Sequence, residues 1–282
     1  AVSPVARRLA VQAELDLAQV AARAPGKRVM REDVEAAIAA RQVAATPSPT
    51  LPVRETRPIT QLRRVIAQRM VESSLTAAAV TLTTEADATE LVALRERLKA
   101  ALAPRERLVP TFTDLLVKLT GCALEEHPLL NAIWSEQEIV VPPSIHIAVA
   151  VDTEAGLLAP VVRDVPSKSI GQIAEELRGL ADRSRAHALT ADELSGGTFT
   201  VTNLGTYGID AFTPIINLPQ CAILGVGRII RKPAVWNDQV VPRHMLALSL
   251  TFDHRIVDGG PAARFLQTVR EYVEEPYLWV TE

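Results

Sequence analysis

HMLALSLTFDHRIVDGGPAARFLQTVREYVEE, residues 244 to 275, joins two different hydrophobic periods through a short polar turn. Met245 to Phe252 is an apolar run of strand length, and Gly259 to Glu274 has apolar residues at helical spacing. Between them lies Asp253-His254-Arg255-Ile256-Val257-Asp258-Gly259-Gly260. It places a histidine at a strand end, a carboxylate four residues later and two glycines in the turn. Histidine takes up a proton near neutral pH, and a nearby carboxylate can fix the tautomer of its ring. The same spacing also suits a structural histidine in a charged turn. Taken alone it indicates a base and no particular reaction.

Upstream of this stretch helices and strands follow one another in irregular order. Thr60 can cap a helix through Leu75, with Leu62, Val65, Ile66, Arg69 and Met70 as its inner stripe. Ala79 to Ala86 alternates and is rich in β-branched residues, which predicts a strand. Helices are predicted at Thr89 to Leu102, Thr113 to Glu126 and, capped by Ser169, to Ala186. Strand patterns fall at Ile139 to Val141, Ile145 to Val151, Leu157 to Val162, Gly197 to Asn203, Ala222 to Ile230 and Val235 to Val241. This is an α+β, mixed-sheet layered domain, because the βαβ alternation of a parallel sheet is missing.

The 282 residues exceed one typical domain, and 48% hydrophobic against 22% charged residues supply a packed core. No apolar run approaches the roughly 20 residues that span a bilayer, so no membrane insertion is expected. A net charge of -3 offers no general attraction for nucleic acid. Cys122 and Cys221 lack partners at metal-ligand spacing, which predicts no metal site and two reduced thiols in a cytoplasmic setting. The chain opens with Ala1 and not with methionine, which leaves room for a further region upstream.

Residues 42 to 58, QVAATPSPTLPVRETRP, carry four prolines and no period, and read as a semi-extended linker. Residues 2 to 41 precede it as a small helical unit. In its first helix Val5, Leu9 and Gln12/Ala13 share a face, Pro25-Gly26 forces a loop, and Val34, Ala37, Ile38 and Arg41 mark a second helix. So little large apolar material suits a docking module better than an enzyme. Residues 59 to 282 form the larger domain.

DHRIVDGG resembles the H-x-x-x-D-G signature shared by dihydrolipoamide acyltransferases of 2-oxoacid dehydrogenase complexes and by chloramphenicol acetyltransferases. DHRIVDGGPAARFL, LSGGTFTVTNLGTYGIDAFTPIINLPQCAILGVG, RRVIAQRM, VTLTTEADATEL and LLAPVVRD are similar to the former, from about Ile59 onward. The resemblance implies a chloramphenicol-acetyltransferase-like catalytic domain, and residues 2 to 41 look like a peripheral-subunit-binding domain.

The implied chemistry is acyl transfer between dihydrolipoamide and coenzyme A, with acetyl favoured because DAFTPIINLPQ resembles acetyl- and succinyl-transferring relatives. His254 would be the general base, and Thr202, just before the asparagine of the TxTN run, the hydroxyl donor to the oxyanion. Asp258 would orient the site through an arginine, Arg64 or Arg69. The resemblance also implies a homotrimer whose histidine and hydroxyl come from different subunits, and no acyl-enzyme. Arg7, Arg8 and Arg28 match positions that grip dihydrolipoamide dehydrogenase or the 2-oxoacid decarboxylase. Coenzyme A is then a substrate, and the lipoyl group is expected on a domain outside this sequence, since no lysine sits in the hairpin setting that carries it.

Several positions depart from the family pattern. Ala78-Ala79 stands where relatives often have Pro-His, which is not expected to touch the base. Val11 replaces a basic residue, and Ala22-Arg23-Ala24 a Gly-Thr-Gly loop, with Arg23 able to restore the lost charge. The apolar end YLWV, residues 277 to 280, is expected to anchor one trimer to the next through Leu278 and Trp279. Two rival readings are a free-standing chloramphenicol-type acetyltransferase and a non-catalytic structural component of a complex.

Overall fold

The computed structural model describes residues 2–13, 15–22, 27–45 and 54–280. It divides into two compact units, Ala1–Pro58 and Ile59–Glu282. The expected loop residues Arg23-Ala24 and Pro25-Gly26, and residues 46–53 of the linker, lie outside the described residues.

The first unit contains α1 (Pro4–Gln12), α2 (Leu17–Ala22) and α3 (Arg31–Ala45). Ser3 caps α1 by accepting from the Ala6 N–H, with Pro4 in the first turn, where no intrahelical N–H bond is lost. Its core is built from small side chains: Ala6, Ala10, Val20, Val29, Val34 and Ala37. The inner face of α1 is therefore Ala6 and Ala10, with Leu9 packed beside them, and Val5 points out at 54% exposure. α3 continues to Ala45, into the stretch read as linker.

In the second unit α4 (Gln61–Thr76) is followed by β1 (Ala79–Asp87), α5 (Thr89–Leu102), α6 (Phe112–Glu126), β2 (Ile133–Trp134), β3 (Ile139–Val140) and β4 (Ile147–Val149). Next come β5 (Val151–Thr153), β6 (Gly156–Leu158), β7 (Val161–Val162), α7 (Ile170–Arg185) and β8 (Phe199–Asn203). The chain closes with β9 (Ala222–Trp236), β10 (Gln239–Asp253), α8 (Gly259–Glu274) and α9 (Tyr277–Val280).

Six strands form the main sheet in the order β1-β10-β9-β8-β4-β7. β8 runs parallel to β9 and β4, and the other pairs are antiparallel, as a mixed sheet requires. One sheet face carries Phe199, Val201, Leu224, Leu248, Leu250 and Phe252 into a core shared with α5, α6 and α8. α6 is buried from Asp114 through Leu124, which explains why its sequence is apolar nearly all round. On the opposite face Thr81 bonds Thr251 at 2.8 Å and Thr200 bonds Gln220 at 2.5 Å, so these four side chains satisfy one another.

The strands expected at Ala222 to Ile230, Val235 to Val241 and Met245 to Phe252 are in fact two 15-residue strands joined as a hairpin. The turn falls inside the middle expected strand, at Asn237 (φ 48°) and Asp238 (φ 59°). Two positive φ values suit the tight turn that follows strand twist, and Asn and Asp tolerate them. Pro233 and Pro242 face each other across the ladder. Their interruption of the pattern makes each long strand look like two. Between Leu246 and Leu248 the register shifts, and there Gly227 lies against the Asp210 carbonyl so closely that no Cβ fits.

The inner stripe expected for α4 is only partly covered: Leu62, Ile66 and Met70 are half-buried, Val65 and Arg69 are exposed, and Ser73 alone is buried. The expected Leu157 to Val162 strand splits into β6 and β7, and Ile145 to Val151 into β4 and the start of β5. α9 folds back on its own domain. Trp279 is fully buried and donates its indole N–H to the Tyr272 carbonyl at 2.8 Å. It is thus a core residue and not an external anchor, whereas Leu278 remains 47% exposed.

Candidate functional site

His254 follows the last residue of β10, where the strand gives way to the turn before α8. Its backbone N–H donates to the Ala78 carbonyl at 2.9 Å, tying the turn to the residue before β1. The side chain is 44% exposed, and Nδ1 lies 3.7 Å from Asp258 Oδ1. Asp258 is the N-cap residue of α8 and 85% exposed. A carboxylate there is favoured by the positive end of the helix and faces the ring on one side.

Neither arginine expected beside Asp258 reaches it. Arg64 Nη1 bonds Gln61 Oε1 at 3.1 Å on the surface of α4, and Arg69 is exposed on the same helix. The arginine in this region is Arg255, and its partner is Asp253. Arg255 Nε lies 3.0 Å from both Asp253 oxygens and Nη2 lies 2.6 Å from Oδ2. Asp253 has no exposed surface. Burial pushes its carboxyl upward, yet the hydrogen bonds from Arg255 outweigh that and hold it below the ordinary carboxylate range. The guanidinium stacks on Trp134, 4.4 Å from the ring centroid. Sequence reading missed this pair. Its signal was present in Asp253-His254-Arg255, an acid and a base two positions apart at the end of a strand.

Ala78 also touches the site, contrary to expectation. Its carbonyl holds the His254 N–H, and its own N–H donates to Asp253 Oδ1 at 3.2 Å.

Thr202 lies on β8, 9% exposed, and its hydroxyl makes no hydrogen bond among the described residues. Beside it opens a cavity of about 600 Å³ whose walls include Asp114, Leu177, Arg178, Arg185, Asn203 and Tyr207. Asp114 is largely buried, which raises its carboxyl, although Thr111 bonds it in the capping box of α6. Next to Thr202, on the paired position of β9, Gly225 leaves a site where a Cβ would stand 3.1 Å from Phe212 Cζ. The Phe212 ring therefore covers the sheet next to Thr202.

One chain does not bring Thr202 and His254 together. Thr202 pairs with Gly225, which pairs with Ser249, so Thr202 stands level with a residue five positions before His254 and two strands away. At about 3.3 Å per residue and about 4.8 Å per strand the separation is roughly 19 Å. In the first unit Arg7, Arg8 and Arg28 do converge, on one cleft of about 620 Å³ that Val11 and Gln12 also line. Among the described residues no cluster of histidine, cysteine and carboxylates suits a metal, and no helix is long and apolar enough to cross a membrane. Cys221 is buried beside Asp253, and burial pushes its thiol up to about 12, too high for a nucleophile at neutral pH.

A histidine thus stands at the end of β10, and a hydroxyl-bearing cavity opens elsewhere on the same mixed sheet. Residues 52–281 match the 2-oxoacid dehydrogenases acyltransferase (catalytic domain), and residues 1–35 match the e3 binding domain. The dihydrolipoyllysine-residue acetyltransferase component of the acetoin cleaving system of Bacillus subtilis is 38% identical over 98% of this chain and 69% of its own length. The succinyltransferase component of the 2-oxoglutarate dehydrogenase complex of Haemophilus influenzae is 36% identical over 97% of this chain and 70% of its own. A dihydrolipoamide acetyltransferase structure from Azotobacter vinelandii, studied for the catalytic roles of a serine, a histidine and an asparagine, superposes with a TM-score of 0.77. It is 37% identical and covers 83% of this chain and 99% of that one. The chain belongs to the acyltransferase family of the 2-oxoacid dehydrogenases and carries an e3 binding domain ahead of its catalytic domain.

Proposed function

We propose that this chain transfers an acetyl group between dihydrolipoamide and coenzyme A, with His254 as general base, and that a second copy supplies Thr202. The observation that carries this reading is an exposed imidazole whose Nδ1 faces Asp258, roughly 19 Å by strand geometry from an unpaired, cavity-lining hydroxyl on the same sheet. Nε2 is then the nitrogen left to accept the proton of the coenzyme A thiol. The thiolate attacks the carbonyl carbon of the acyl-dihydrolipoamide thioester. Thr202 Oγ1–H donates to the tetrahedral oxyanion, and collapse expels the dihydrolipoyl thiolate, which recovers the proton from His254. Both thiols are present together, so no acyl group is parked on the protein.

The Azotobacter protein supports the residue roles through spacing. Its serine precedes its histidine by 52 positions, as Thr202 precedes His254, and its asparagine follows by four, as Asp258 does. Asp258, 3.7 Å from Nδ1, would hold the orientation of the ring. Acetyl is preferred over branched acyl groups because DAFTPIINLPQ, residues 210 to 220, resembles acetyl- and succinyl-transferring relatives. Relatives bear both acetyl and succinyl names at similar identity, so the names do not decide it.

Arg7, Arg8 and Arg28 would dock the first unit on an acidic surface of dihydrolipoamide dehydrogenase or of the 2-oxoacid decarboxylase, since charge-assisted bonds from a convergent arginine set favour carboxylates. The lipoyl group would arrive on another domain, and the active form would be a homotrimer or a shell of trimers in the cytoplasm. The test is acetyl transfer from acetyl-coenzyme A to dihydrolipoamide by wild type and His254→Ala. Turnover should fall by about 10² or more with the assembly intact, and a near-normal rate would refute the assignment.

A further inference from the structure

His254 has few contacts of its own. Its ring is 44% exposed, lies 3.7 Å from Asp258 at Nδ1 and has its centroid 5.8 Å from that of Phe252. Such a side chain would turn freely if its backbone did, yet a base must meet a thiol within hydrogen-bond reach. The residues on either side of it are held far more tightly. Asp253 Oδ1 accepts from the backbone N–H of Arg255 at 3.0 Å and from that of Ala78 at 3.2 Å, while Arg255 grips both carboxylate oxygens with its guanidinium. Side chain and main chain of Arg255 thus close a ring of atoms around the His254 peptide. The Asp253 carbonyl accepts from Ile256 and Val257 at 2.9 and 3.2 Å, and the Asp253 N–H donates to Cys221. Trp134 backs the guanidinium from β2.

We propose that Asp253 and Arg255 are positioning residues for acyl transfer: the ion pair between the buried Asp253 and the half-buried Arg255 clamps the backbone on both sides of His254 and so fixes where its imidazole stands. This rests on the reading of His254 as the base. The pair touches neither substrate in this role and acts through the histidine. A misplacement of about 1 Å at a reacting group costs on the order of 10² in rate, which sets the scale of the effect. Binding of either substrate is expected to change little.

The experiment uses the whole assembled chain and measures kcat and KM for acetyl-coenzyme A and dihydrolipoamide, normalised to folded protein. Arg255→Gln and Asp253→Asn should lower kcat by at least about tenfold while both KM values stay within about twofold. Arg255→Lys should recover part of the loss, because an ammonium keeps the charge but not the two-pronged geometry. If Arg255→Gln does not fold, Arg255→Lys and Trp134→Leu keep the buried charges paired and should still lower kcat without raising KM. A folded variant set with wild-type kcat overturns the proposal, as does a loss of activity that only tracks the folded fraction. His254→Ala runs in parallel. An inactive His254→Ala beside fully active Arg255 variants refutes the clamp alone, and an active His254→Ala refutes the base.

Discussion

Co-expression of a His254→Ala chain with a Thr202→Ala chain should restore activity that neither possesses alone. The reason is geometric. Strand register puts Thr202 level with Ser249, five residues from His254 along β10 and two strands across. That is roughly 19 Å, against the few ångströms that a base and an oxyanion donor working on one carbonyl require. If each site takes its histidine from one copy and its threonine from the next, random mixing in equal amounts leaves about a quarter of the interfaces with both groups intact. Each single variant should retain on the order of 1% or less, since a general base and an oxyanion donor each contribute roughly 10² or more. The mixed assembly should then turn over more than tenfold faster than either parent. The assay is acetyl transfer to dihydrolipoamide on assemblies purified through two different affinity tags, so that every particle measured contains both chains. Activity equal only to the average of the two parents would refute the shared site, because a site built within one chain carries a lesion in every copy.

Three further outcomes follow from the same structure. Trp279→Ala should destabilise the catalytic domain by about 3–5 kcal/mol in denaturant unfolding, because it empties a fully buried site and removes the indole hydrogen bond to the Tyr272 carbonyl. Leu278→Ala, half-exposed next to it, should cost under about 1 kcal/mol, and equal costs would show that α9 does not dock as described. Replacing Arg8 and Arg28 by Glu should weaken capture of dihydrolipoamide dehydrogenase at least tenfold and flatten its salt dependence, and unchanged binding isotherms would remove the cleft from the interface. The Asp253 carboxyl is depressed in the folded state, so its contribution is fully present above the unfolded value of about 3.9 and is lost as pH falls through the folded value. Asp253→Asn should therefore lose less stability than wild type on acidification below about pH 4. Equal acid slopes would show that the pair does not govern this limb.

Local chemistry made much of this protein legible. The strand that ends at Asp253, the turn that exposes His254 and the amphipathic α8 are set by side-chain period and by turn residues within a single stretch, and those forces act over a few positions. The helices α5, α6 and α7 were readable for the same reason, with Ser169 and Gln172 forming a reciprocal cap on α7. The long hairpin was harder to see because Pro233 and Pro242 break the pattern of both strands, although Asn237-Asp238 carries the turn chemistry.

The site divides along the same line. His254, Asp258 and Thr202 stand out as residue types in quoted motifs, but no spacing tells how far apart a six-stranded sheet will hold them. Strand order and register decide that, through pairings between segments far apart in sequence. Tertiary contact likewise chose Asp253 over Asp258 as the partner of an arginine, because only the buried carboxylate must be paired to remain charged. It also drew Trp279 inward. An apolar tail shows in the sequence as a need for cover, while the hollow that covers it exists only once α8 and the strands have packed.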